Sequence, residues 1–476
     1  MRFLVIALSL LSSFFSYAQN KPFEQVLGWK GRLSVKSIAD SAKKSTCVTV
    51  ENNSKLKAFL FDKEMHFVKD FELEIADEDV IGGFIQANLI QLYLNPGGEG
   101  LIHNITIDTR TGDARDTIFQ LELKGEKLMG HLNAANSFLY ITASKKTPIF
   151  HVYRFGGTNM EQISFDLRVN NLDKNFTDGN LWAALSTASG LSRSADIAIV
   201  DPEAEADVDA VSSHNKLYLL NNKLALVMDM SGEKVLVLNF DLTSKQADCR
   251  EIKRPFRAVA PEEFNRPEYN SFLIGNQLYS VEASAESLSL VIQDFQTGKI
   301  LKSYKALEDE TISFKNTPII QEGGATMYAP SERNLEKTKQ LLRKMLNGNA
   351  VITVAENNKG QHELTIGAYK KVTQRSGGFA PSMGGGGMAA GGAMIFVNPG
   401  FNSSWTRVVR FRSLVDPATS SHIPGDMQVP VGEEIRKYTE SMKISATASS
   451  VLIANKFHQF AYYDKTEKKL VVMRFE

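Results

Sequence analysis

Five carboxylates occupy alternate positions in one short stretch: Asp201, Glu203, Glu205, Asp207 and Asp209. In an extended strand they would share a face and repel one another. A hard cation such as Ca2+ relieves such repulsion, because it takes oxygen ligands. The order is not that of an EF-hand, which needs Gly at its sixth position and Glu at its twelfth; Ala206 and Ser212 stand there. The competing expectation is a solvated loop between structural units, with no cofactor.

A second stretch offers recognition rather than catalysis. Residues 376–394 are rich in Gly and Met and carry no charge. They contain neither a phosphate-cradling G-x-x-x-x-G-K-[ST] nor a G-x-G-x-x-G set between strand and helix. Phe379, Met383, Met388 and Met394 are adaptable apolar groups on a Gly-rich backbone, a combination that can repack against a partner protein. The alternative is a flexible hairpin extension with no ligand. Both readings stay open.

Other chemistry finds little support. The eight histidines are scattered and form no H-x-H or H-E-x-x-H group, so zinc is not indicated. No G-x-S-x-G is present, and Ser41-Ala-Lys-Lys44 matches S-x-x-K without the companion motifs of that class. No catalytic residue is assigned.

The elements that would position these stretches are short strands joined by polar turns. In Lys216–Ile252 the order is Leu217–Leu220, turn, Leu224–Met230, turn, Val235–Asp241, turn, Ala247–Ile252. Asn270–Ala306 repeats the arrangement at similar length. Period-two runs bounded by Gly, Asn, Asp and Ser predict hairpin-connected antiparallel strands. Consecutive four-stranded meanders predict an all-β fold, a β-propeller of about seven four-stranded blades. Asp108, Asp294 and Asp464 each open a Thr-containing turn, expected to close the inner strands of their blades. The expected organisation is a lead-in over 19–45 and a propeller over 46–476. The last strand, Leu470–Phe475, is expected to pair near Thr46–Val50. A helix is predicted over Glu332–Leu346, with Ser331 as N-cap and Asn347-Gly348 as stop. Two smaller β domains split near Ala195 are the runner-up.

Arg2, the apolar run Phe3–Phe15 and Ser16-Tyr17-Ala18 read as an export leader cleaved after Ala18. The run is too short to span a bilayer. The rest is expected to be a soluble periplasmic or secreted protein with no membrane span. Lys plus Arg equals Asp plus Glu, at 54 each, which gives no general attraction to nucleic acid or to an anionic membrane. No basic run is visible. Cys47 and Cys249 are expected to be separate buried thiols rather than a disulfide.

The meanders, the Asn347-Gly348-Asn349-Ala350 join and the Gly/Met-rich stretch together resemble exported bacterial β-propeller-like proteins. The chain is similar to uncharacterised secreted proteins of Bacteroidetes. The Trp-Asp dipeptide of WD40 blades is absent. The architecture admits several functions. One expectation is a non-catalytic binding or scaffold protein of the cell envelope, with another envelope protein as partner. The other is a propeller enzyme acting on a glycan, hydrolase or lyase, with its site in the central funnel. A funnel lined by convergent acids and bases would favour the second.

Overall fold

The computed structural model describes residues 20–176, 179–189, 192–195, 197–200, 206, 208–256, 267–323, 332–371, 406–454 and 457–475. Seven sheets of four or more strands follow one another along the chain, as blades of a β-propeller. Blade 1 is Ser34–Ala39, Ser45–Glu51, Lys55–Asp62 and Phe67–Glu74. Blade 2 is Asp79–Gln86, Leu89–Asn95, Leu101–Asp108 and Ala114–Gln120. Blade 3 is Glu126–Ala134, Ser137–Ser144, Ile149–Gly156 and Asn159–Asp166. Blade 4 is Asn215–Leu220, Lys223–Ser231, Lys234–Asp241 and Gln246–Lys253, with Ala198–Val200 added in parallel to its first strand. Blade 5 is Glu268–Ile274, Gln277–Ala283, Ser287–Asp294 and Ile300–Leu307.

Blade 6 breaks the sequential order. Asn349–Glu356, His362–Lys371 and Thr406–Asp416 form its first three strands. Its outer strands, Ile319–Glu322 and Glu332–Leu335, come earlier in the chain. Blade 7 is Ser449–Ala454, Phe457–Asp464 and Lys469–Phe475, completed by Asn20–Val26 from the N-terminal side. The ring is therefore closed by Asn20–Val26 rather than by a strand near Thr46–Val50. The segment expected as a lead-in supplies both this closing strand and the first strand of blade 1. Phe23 anchors the closure, with its ring 5.5 Å from Phe59, 5.3 Å from Phe61 and 4.9 Å from Phe67.

The first strands of neighbouring blades approach one another, that of blade 1 touching those of blades 2 and 7. Strand faces alternate as a pleat requires; Lys55–Asp62, for instance, buries Leu56, Ala58, Phe59 and Phe61. These faces meet between blades. Shared apolar clusters span blades 1 and 2, blades 2 and 3, blades 3 and 4, blades 4 to 6, and blades 7 and 1. The continuity across blades 3 and 4 leaves no division near Ala195. Buried tyrosines add a polar link at several junctions, as their apolar rings and polar tips allow. Tyr93 accepts from Gly157 N at 3.1 Å, and Tyr218 accepts from Leu273 N at 3.1 Å. Tyr463 donates to Trp29 O at 2.9 Å. Gly82 permits blade 2 to nest on blade 3, since a Cβ there would lie 2.5 Å from Phe138 Cε2.

Helix α1, Leu181–Leu185, is capped by Asn180, whose Oδ1 accepts from Trp182 N at 2.9 Å. The inserted helix is shorter than expected. Glu332–Leu335 is a strand, and helix α2 runs over Thr338–Met345. Gln340 Oε1 accepts from Glu336 N at 3.2 Å and Lys337 N at 3.3 Å, which sets that start. Leu341, Leu342 and Met345 are buried against the blade 4 to 6 core. Helix α3, Val431–Met442, was not foreseen; it packs Ile435 on Val451, Phe460 and Val471 of blade 7. Cys47 and Cys249 are both free thiols, on blades 1 and 4.

The Asp turns hold with one correction. Asp108, Asp294 and Asp464 accept backbone N–H groups from Arg110, Thr297 and Thr466 at 2.9, 2.7 and 2.8 Å. Asp62, Asp241 and Asp416 do the same toward Glu64, Thr243 and Ala418. Asp62, Asp108, Asp241, Asp294 and Asp416 end the third strand of their blades, so these turns close outer rather than inner strands. Asp464 ends a second strand and is not equivalent to them. The carboxylates serve turns.

Candidate functional site

The ring interior is the first place to look, because the first strands of all blades approach it. Among the described residues, the charged or histidine side chains inside the terminal residues of those strands are Lys36, Lys127, His131 and Lys216, with no carboxylate. Lys216 is fully buried and donates to Ser213 O at 2.7 Å and Asn270 Oδ1 at 3.0 Å. Burial lowers the Lys36 ammonium, against Glu51 and Asp79, which raise it. Burial pushes His131 down to about 4, and Lys36 adds to the shift. Both groups are thus drawn toward neutrality, as desolvation of a cation requires. His131 Nδ1 is buried and has no hydrogen-bond partner.

Beside Lys36 lies a small recess at the junction of blades 1 and 2. Arg32, Ser34, Glu51, Asn52, Asn53, Asp77, Glu78 and Asp79 line it, and it offers about 10 Å3, the room of one water. Glu51 Oε1 accepts from Val80 N at 2.9 Å, joining the two blades. Burial pushes the Glu51 carboxyl up to about 7, opposed by Val80 N–H and Lys36. Arg32 pairs with Asp79 at 3.1 Å, and His103 Nδ1 lies 2.6 Å from Glu78. The space is too small for a sugar ring.

Blade 3 carries a polar row on the face that meets blade 2. Thr142, His151 and Ser164 are consecutive cross-strand partners. Ser164 Oγ lies 2.9 Å from His151 Nδ1, and His151 Nε2 lies 3.6 Å from Glu126 Oε1. Tyr153 donates to Glu126 at 3.1 Å, and Thr142 donates to Glu126 as well. Burial lowers His151, against the Glu126 charge. Burial, Glu99 and Glu126 push Tyr140 up to about 12. The row could move a proton between Ser164 and Glu126 through neutral His151. The Gln162 amide also reaches His151 Nδ1, at 3.3 Å, so that nitrogen is shared.

Of the predicted cation ligands, Asp201, Glu203, Glu205 and Asp207 lie outside the described residues. Asp209 is half-buried, and its backbone oxygen accepts from Ser212 Oγ at 3.0 Å. Phe379, Met383, Met388 and Met394 also lie outside the described residues. Their segment, 372–405, joins the second and third strands of blade 6. A different acidic group, Asp62, Glu64 and His66, brings its ligand atoms within 4.8 Å of one another. It is one of the Asp turns: Asp62 accepts from Glu64 N at 2.9 Å and His66 N at 2.8 Å, which accounts for the grouping. Nothing in the residue order marks Lys36, Glu51, Glu126, His131 or His151 as neighbours; strand pairing and blade closure bring them together. Among the described residues no helix is long and apolar enough to cross a membrane.

No protein-family model and no curated protein matches the chain. Solved structures are similar at low scores. An oligogalacturonate lyase in complex with manganese is 9% identical, with 93% of this chain and 90% of that one covered and a TM-score of 0.36. A prolyl endopeptidase is 9% identical, with 91% and 46% covered and a TM-score of 0.35. The Synechocystis apocarotenoid oxygenase is 8% identical, with 58% and 62% covered and a TM-score of 0.29. The chain thus spans about three fifths of the oxygenase and under half of the endopeptidase. Nothing about its activity follows from likenesses of this size.

Proposed function

We propose that this is a non-catalytic binding or scaffold protein of the bacterial cell envelope, exported by its leader and acting on another envelope protein. One observation carries the reading. Among the described residues, the strands that line the ring carry no carboxylate away from their ends. Their charged or histidine groups there are Lys36, Lys127, His131 and Lys216, and burial draws Lys36 and His131 toward neutrality. Glycoside hydrolysis calls for a convergent pair of carboxylates instead. Phe379, Met383, Met388 and Met394 are the proposed partner contacts. The reading requires no cofactor. Affinity capture from native envelope tests it: a partner at fixed stoichiometry is expected, and glycan turnover by the purified chain would contradict it.

A second reading, a glycan hydrolase or lyase, is favoured by one observation only. Glu126, His151 and Tyr153 are close enough to share a proton. Their place is the junction of blades 2 and 3 rather than the funnel. Loss of glycan cleavage on His151→Ala, with the fold retained, would establish it.

A further inference from the structure

Blade 6 gathers positive charge that no run in the sequence reveals. Lys370 and Arg407 are direct cross-strand partners on its second and third strands. Like charges placed opposite one another repel. Arg343 and Lys344 lie in the last turn of α2, and Arg333 lies on the outermost strand. Lys344 is lowered by burial first, and then by Arg333, Arg407, Arg343 and Lys370, which places all five within electrostatic reach. Arg333, Arg343 and Lys370 are exposed; Lys344 and Arg407 are half-buried.

Among the described residues none of the five joins an ion pair. Arg333 donates to the Gln321 amide oxygen at 2.9 Å, and Arg407 Nε is buried without a partner. The contrast lies on the same strand: Arg410 pairs with Glu322 and Glu433, and Arg412 pairs with Glu363. The α2 dipole accounts for two cations at a helix end. It does not account for Lys370 opposite Arg407.

We propose that this face of blade 6 docks on an anionic phospholipid surface, with Arg333, Arg343, Lys344, Lys370 and Arg407 as the contacting cations. The charges come from four separate elements and include two exposed strand residues and an exposed helix residue. That spread suits a charged plane better than one small anion. Each cation brought near such a surface strengthens binding roughly five-fold, and salt weakens it. With no membrane-crossing helix among the described residues, the attachment is peripheral. The inference is independent of the non-catalytic reading, since an enzyme could dock in the same way.

The test is co-sedimentation of the full mature chain with phosphatidylcholine vesicles, with and without phosphatidylglycerol. The chain is expected to bind the anionic vesicles and to release in high salt. Neutralising all five residues to Gln is expected to weaken binding by at least tenfold. Should that variant not fold, Arg343→Gln with Lys370→Gln, both exposed, is expected to weaken it by roughly tenfold or more. Neutralising the exposed Lys63, Lys124 and Lys146 is the control and is expected to leave binding unchanged. Equal binding to neutral vesicles overturns the proposal, as does equal loss in the control. Release by inorganic phosphate at constant ionic strength overturns it too, by marking a discrete phosphate site.

Discussion

Arg410 of blade 6 holds Glu433 of α3 at 3.2 Å, at the one blade junction with no shared apolar cluster among the described residues. Arg410 also pairs with Glu322 at 2.9 Å, and Arg436 of α3 reaches the same Glu322 at 2.9 Å. Helix α3 meanwhile buries Ile435 on blade 7. It therefore couples blades 6 and 7 through apolar contact on one side and charge on the other.

Arg410→Met should destabilise the protein by about 3 kcal/mol, because removing one member of a buried pair leaves the other desolvated. The low end of the range is expected, since Arg436 and Lys437 still face the two glutamates. Urea unfolding gives the value; a change below half a kcal/mol would show that the network adds no stability.

Phe23→Ala tests ring closure. The ring stacks on Phe67, meets Phe61 edge-on and Phe59 at a tilt, and is only half-buried. A loss of about 2 kcal/mol is expected, below the range for a fully buried Phe. Unchanged stability would mean that Asn20–Val26 does not close the propeller.

Much of this architecture could be read directly from the chain. Alternation in runs such as Leu224–Met230 and Val235–Asp241 gives strands, because burial on a pleat has period two. The closing strand escaped notice because Asn20–Val26 contains Pro22 and few apolar residues, and its pairing is with the far end of the chain. Leu335 suits a strand or a helix, and only the Gln340 cap decides that α2 begins at Thr338. In α3, Gly432 and the charged residues around Ile435 hide a narrow apolar stripe. The polar clusters were invisible because Lys36 and Glu51 lie on neighbouring strands of blade 1, whereas His131 comes from blade 3.

Stability should depend on pH in opposite senses at two sites. His131 has its folded pKa lowered, so its contribution is complete above about 6.5 and is lost as pH falls toward 4. The loss is on the order of 3 kcal/mol. Glu51 has its folded pKa raised to about 7, so its contribution is present below about 4.5 and is lost as pH rises through 7. Glu51→Gln keeps an acceptor for Val80 N and removes the buried charge. It should gain stability relative to wild type at pH 8 and none at pH 4; melting curves at both values decide.

Deleting residues 384–392 should leave the melting temperature nearly unchanged and weaken partner capture. The removed stretch is uncharged and Gly-rich, with no apolar periodicity to bury. Unfolding on deletion would make it a structural element instead.

The central claim is that the ring interior performs no chemistry. Its most direct test is affinity capture from native envelope with wild type and with the Lys36→Met, His131→Phe variant, each also assayed on envelope glycans. The account predicts the same partner at the same stoichiometry from both chains and no glycan turnover from either. Glycan turnover by wild type that the double variant loses, with no partner captured, would contradict it.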